Sequence, residues 1–123
     1  MEEKDEKTEN LREIVVKLRD IYNILQSRKN DKLAKYNKGE KIHKKQMAFH
    51  QCQKKNRWVF GGNRTGKTEC GAVECVWLAR GIHPYRTNKK DCCGWVVSVS
   101  QQVQRDVAQK KILSYIRPEW IVD

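Results

Sequence analysis

No apolar run in the chain approaches the roughly 20 residues that a membrane helix requires, and its acidic start lacks the basic, apolar and cleavage segments of a secretory signal. A cytosolic setting without a membrane partner is therefore expected. The five cysteines form no C-x-x-C pair, and the three histidines lack metal-ligand spacing. Reduced, partly buried thiols are expected rather than a disulfide framework or a metal site. Repeats and low-complexity tracts are absent. Apolar residues are scarce at 38% against 33% charged, which is lean for a globular chain. The length of 123 residues suggests one domain.

What is present is a loop. Gly61-Gly62-Asn63-Arg64-Thr65-Gly66-Lys67-Thr68 is a complete G-x-x-x-x-G-K-[ST] phosphate-binding pattern. The short β-prone run Arg57-Trp58-Val59-Phe60 precedes it, and residues 68–80 are apolar on nearly every side, as in a buried helix. The glycines let backbone approach phosphate oxygens closely. Inward N–H groups and the helix N-terminus then favour an anion. Lys67 is expected to reach the β- and γ-phosphates of ATP, and the Thr68 hydroxyl to ligate Mg²⁺. The glycine spacing does not fit G-x-G-x-x-G, which argues against a dinucleotide site.

Around the loop, Asn10 reads as a helix N-cap with Glu13 at the capping-box position, and residues 1–9 as frayed. Leu11, Ile14, Val15, Leu18, Ile21, Tyr22 and Leu25 follow at helical spacing. Two heptads are short for a coiled coil, so packing on the chain's own domain or on a partner is expected. Shorter helices are predicted near 33–37 and 44–53, and the P-loop helix over 67–80, with Gly81 as its C′ residue and Pro84 beyond. Residues 94–100 alternate as a strand with Trp95, Val97 and Val99 on one apolar face. Ser100 caps a helix over about 101–116, broken at Arg117-Pro118. The order implies an α/β fold, a partial P-loop NTPase with a parallel β-α-β-α arrangement preceded by an N-terminal helical segment. The boundary falls between a helical, basic segment, 1–45, and the P-loop domain, 46–123.

The net charge of +11 is uneven. Residues 1–27 carry 5 Lys/Arg against 7 Asp/Glu, residues 28–57 carry 11 against 2, and residues 58–123 carry 10 against 6. The basic stretch ahead of the loop is either an electrostatic footprint for nucleic acid or a solvated lysine-rich linker.

The stretch Lys45-Gln46, Phe49-His50 and Arg57 through Glu69 resembles the start of the ATPase domain of phage terminase large subunits, the motors that package DNA into procapsids. The resemblance continues through Gly71-Ala72-Val73-Glu74, Gly81, His83-Pro84-Tyr85-Arg86, Gly94 to Ser98 and Arg105-Asp106-Val107. It implies ATP and Mg²⁺ as cofactors and double-stranded DNA as partner. In the full-length family it also implies a portal and a small terminase subunit, in the host cytoplasm. Gln46 matches a glutamine that recognises adenine, or is a plain surface-helix residue. Arg64 matches an arginine that senses the γ-phosphate, a role suited to a planar cation.

The chain departs from that family after Thr68. No apolar run ends in the Asp-Glu pair that would hold Mg²⁺ and direct hydrolysis. Glu69 and Glu74 lie on the P-loop helix itself, and Asp91 precedes its apolar run. The coupling motif and the nuclease domain are also missing. The expectation is the front of a motor that binds ATP but lacks the hydrolytic carboxylates, with oligomers only if the missing region is present. Without later strands, strand one would lack partners, and the isolated chain is expected to be marginal or aggregating. Two rivals stand beside this reading. One is a non-catalytic DNA- or partner-binding protein with a relic P-loop. The other is a small kinase, disfavoured because no acceptor site or lid follows the loop.

Overall fold

The computed structural model describes residues 2–122, with side chains from Thr8 onward. The chain divides into two compact units, 1–31 and 32–123. No described helix is long and apolar enough to cross a membrane.

The first unit is one helix, α1 (Glu2–Lys29). It begins well before Asn10, so that residue is interior rather than a cap, and residues 2–9 are helical rather than frayed. The reason lies in composition. This stretch has no Gly or Pro to stop a helix, and Arg28 and Lys29 in the last turn complement the negative end of the helix dipole.

The second unit holds α2 (Lys32–Lys35), α3 (Lys44–Gln51) and α4 (Lys67–Arg80). It then has α5 (Gln101–Val103), which runs through a π-helical segment (Gln104–Gln109) into α6 (Lys110–Leu113). Single 3-10 turns lie at Gly39–Lys41 and Pro118–Trp120. The P-loop helix has the predicted bounds. It ends at Gly81, whose φ of 62° is left-handed and whose N–H reaches the Leu78 carbonyl at 3.2 Å. A Cβ there would stand 3.1 Å from the Lys89 carbonyl oxygen, so glycine is needed twice over. Ser100 caps α5 as expected, its Oγ accepting from Val103 N–H.

The core is small. Leu33 of α2, Ala72, Val73 and Val76 of α4 and Tyr115 are buried together, with Tyr36, Trp77, Ile112, Ile116 and Trp120 packed around them. The buried residues of α4 are Cys70, Ala72, Val73, Glu74 and Val76, while Gly71, Leu78, Ala79 and Arg80 are exposed.

The expected α/β fold is not formed. Among the described residues there is no strand, so the parallel β-α-β-α arrangement is absent. The two segments expected to be strands, 57–60 and 94–100, are ribbons without ladder hydrogen bonds. A strand exists only by pairing, and neither ribbon pairs with the other. The period of two survives without the sheet. Trp95, Val97 and Val99 stand 92%, 83% and 96% exposed, while Val96 between them is 40% exposed. Side-chain bonds hold this second ribbon to the π segment: the Gln104 amide donates to the Val96 carbonyl at 3.1 Å, and Ser98 Oγ donates to Gln104 Oε1 at 2.5 Å.

Candidate nucleotide-binding site

The loop between the first ribbon and α4 is shaped by two positive φ angles, 60° at Arg64 and 79° at Gly66. A left-handed residue beside a right-handed one is the backbone unit of an anion nest, and Gly66 next to the helical Lys67 is such a pair. At Gly66 the glycine has a second cause. A Cβ would lie 2.6 Å from Gln46 Nε2, which donates to the Gly66 carbonyl at 3.1 Å. Lys67 folds back across the loop. Its ammonium donates to the carbonyls of Gly61 at 2.6 Å and Gly62 at 2.5 Å, and reaches Thr65 Oγ1 at 3.3 Å. Thr65 Oγ1 in turn donates to the Gly62 carbonyl at 2.9 Å.

These groups border a cavity of about 440 Å³, within the range of small-molecule sites. Ile42, Phe49 and Phe60 supply an apolar wall, and Gln46, Gly66 and Lys67 a polar one. A base and a phosphate chain call for that pairing of surfaces. No Asp or Glu is among the residues lining the cavity. Of the sequence-predicted residues, Gln46, Gly61, Thr65, Gly66 and Lys67 border the cavity, and Gly62 offers its carbonyl to Lys67. Asn63, Arg64 and Thr68 are exposed and outside its lining. Gln46 is placed beside the loop although it lies 20 residues before Gly66. Its side chain is held from both ends, since Oε1 accepts from the Tyr36 hydroxyl at 3.0 Å.

Behind the loop is a buried polar cluster that the sequence reading missed. Glu74, 6% exposed on α4, accepts from His50 Nδ1 at 2.6 Å, from His83 Nε2 at 3.0 Å and from Arg57 Nη2. His83 Nδ1 accepts the Tyr85 N–H at 3.1 Å, so Nε2 carries the proton that faces Glu74. His50 Nε2 lies 3.0 Å from the Tyr36 hydroxyl and 3.5 Å from Cys70 Sγ. Tyr36 thus touches both Gln46 and His50, and a continuous set of hydrogen bonds runs from the Gly66 carbonyl to Glu74. Burial alone would raise the Glu74 carboxyl, but the bonds from His50, Arg57 and His83 outweigh it and hold Glu74 at about 2. Burial pushes the Cys70 thiol up to about 11, which leaves it protonated and unreactive.

The His50–Glu74–His83 group invites comparison with a metal site. Two ligands at about 2.0–2.1 Å on one tetrahedral ion stand roughly 3.3 Å apart, whereas His50 and Glu74 are 2.6 Å apart. Arg57 also occupies the other carboxylate oxygen. The distances are those of a hydrogen-bonded ion cluster. The one signal available beforehand was Glu74 itself, a lone carboxylate on the apolar side of a helix, which needs partners to be buried.

Two other acids of the second unit, Glu69 and Asp106, also have cationic partners. Glu69 pairs with Lys111 at 2.7 Å and Lys32 at 3.4 Å and accepts from the Tyr115 hydroxyl. Burial opposes ionisation of Glu69, but these partners prevail and lower its pKa. Asp106 is half-buried and bonds its neighbour Arg105 at 2.9 Å.

No protein-family model, curated protein or solved structure matches the chain.

Proposed function

We propose that the chain binds ATP–Mg²⁺ through residues 61–68, as the ATPase part of the terminase large subunits it resembles would. The observation that carries the reading is Lys67, which sits at the N-terminus of the 14-residue α4 with its ammonium on two loop carbonyls at the cavity wall. A triphosphate offers that ammonium a stronger, charge-assisted partner than neutral carbonyls. Phosphate entry therefore exchanges Lys67 from its own loop to the nucleotide. Gln46 and the apolar wall of Phe49 and Phe60 would take the base. Thr68 is the candidate Mg²⁺ ligand and Arg64 the candidate γ-phosphate sensor, both exposed at the loop. Because the cavity lining carries no carboxylate, binding without appreciable hydrolysis is the expected behaviour.

Titration calorimetry with ATP and Mg²⁺ tests this. Lys67→Ala is expected to abolish binding, and phosphate release by the unaltered chain to stay at background. Unchanged ATP affinity in Lys67→Ala sinks the assignment.

A second reading rests on the exposed lysines of the second unit, Lys38, Lys41, Lys44, Lys45, Lys54 and Lys55. They suit the phosphates of double-stranded DNA, as in a non-catalytic binder. Such binding weakens steeply with ionic strength, and it is measured without ATP.

A further inference from the structure

The Gln46 carboxamide is held from behind, and counting donors tells which of its atoms points where. The Gly66 carbonyl only accepts, so the group 3.1 Å from it is the Gln46 amide nitrogen. Oε1 then faces the Tyr36 hydroxyl at 3.0 Å and needs a hydrogen from it. Burial raises the pKa of the Tyr36 phenol, so that hydrogen is retained at neutral pH. A hydroxyl has one hydrogen to give. The Tyr36 oxygen must therefore accept from His50 Nε2, also at 3.0 Å.

The count continues into the buried cluster. Glu74 is ionised and only accepts, so His50 Nδ1, 2.6 Å from it, carries a hydrogen as well. Both ring nitrogens of His50 are then donors, as in an imidazolium. The ring is fully buried, and the Glu74 carboxylate is the counter-charge that makes a cation tolerable there. From His50 to Gly66 every hydrogen bond runs one way. A neutral ring that kept only its Nδ1–H would draw the Tyr36 hydroxyl to its bare Nε2 and leave Gln46 Oε1 without a donor.

A carboxamide offers two N–H groups and two lone pairs. One of each is spent on Gly66 and Tyr36. What remains for a base is one donor and one acceptor. Adenine presents N7 and its N6 amine, an acceptor beside a donor, and matches that pair. Guanine presents N7 and O6, two acceptors, and does not.

We infer that Tyr36 and His50 are positioning residues for Gln46, holding its carboxamide in the one orientation that favours adenine over guanine in the cavity. The inference rests on the nucleotide reading above and adds to it two residues that lie outside the cavity lining.

Two measurements test it. The first needs no ligand. Nitrogen NMR of the histidine-labelled full chain at neutral pH, with the His50 signals assigned through His50→Gln, is expected to show hydrogen on both ring nitrogens. A bare Nε2 overturns the arrangement. The second compares ATP, GTP and inorganic tripolyphosphate by calorimetry, each with Mg²⁺. The Tyr36 ring packs edge-on against Trp77 and Tyr115, so Tyr36→Phe keeps that packing and removes only the hydroxyl. It is expected to weaken ATP about fivefold, the worth of one hydrogen bond. The preference for ATP over GTP is expected to narrow, and tripolyphosphate to bind as before. Added to Gln46→Ala, the same substitution is expected to have no further effect, because Tyr36 acts through Gln46. An equal loss for tripolyphosphate, or an undiminished loss in the Gln46→Ala background, overturns the positioning role. Equal binding of ATP and GTP by the unaltered chain overturns it too, while leaving the phosphate site standing. A chain that binds none of the three sinks the nucleotide reading, and this role with it.

Discussion

Glu74 shows at the scale of one residue why a buried charge is tolerable. Its carboxylate has three donors, and two of them are histidines. Replacing Glu74 by Gln leaves Arg57, 11% exposed in its side chain, without its counter-charge. The expected cost is about 3–5 kcal/mol, as for breaking other buried pairs, measured by urea unfolding. A loss below about 1 kcal/mol would place Arg57 in solvent rather than in the cluster. The pH dependence has a definite sign. The folded-state pKa of about 2 lies below the ordinary carboxyl value of 4.5. Stability from this group is therefore full above the unfolded value and declines as pH falls from about 4.5 toward 2. An acid titration of the helical signal in Glu74→Gln is expected to lose that part of the slope. At this scale the sequence was legible wherever one residue carries its own geometric demand. The glycine at 81 with its left-handed φ is such a case. The cluster around Glu74 was not legible, because His50, Arg57 and His83 become neighbours only through tertiary packing.

Among the elements, α4 was readable at both ends, since a glycine loop before it and Gly81 after it fix its limits independently of packing. Residues 101–113 were readable as helix through the Ser100 cap, but nothing in the sequence marks the π segment at Gln104–Gln109. The start of α1 was misplaced because Asn10 looks like a cap in any context, and a continuing helix on its N-terminal side overrides it. The ribbons 57–60 and 94–100 teach more. Alternation was correctly seen, yet alternation describes side-chain direction and not pairing. A ribbon with the right period and no neighbour forms no strand. Its apolar side then remains in water, as Val97 and Val99 do. Replacing both by Ser is expected to change unfolding stability by less than about 0.5 kcal/mol while reducing light scattering on concentration and the binding of a hydrophobic dye. A marked loss of stability instead would mean that these side chains are packed.

At the level of the whole molecule, two units with separate chemistry share one chain. The first is a single amphipathic helix. The second gathers a glycine loop, a lysine and an apolar wall around one cavity, steadied from behind by a buried ion cluster. Its core is small, and much apolar surface lies on the ribbons rather than inside. Such a unit gains in stability from any ligand that binds only its folded form. The central claim is therefore best tested where the ligand is held. Hydrogen–deuterium exchange of the full chain, with and without ATP–Mg²⁺, locates it directly. Slower exchange across residues 61–68 and around Gln46, absent in Lys67→Ala, is the expected result. Unchanged exchange at 61–68 under saturating nucleotide would contradict it.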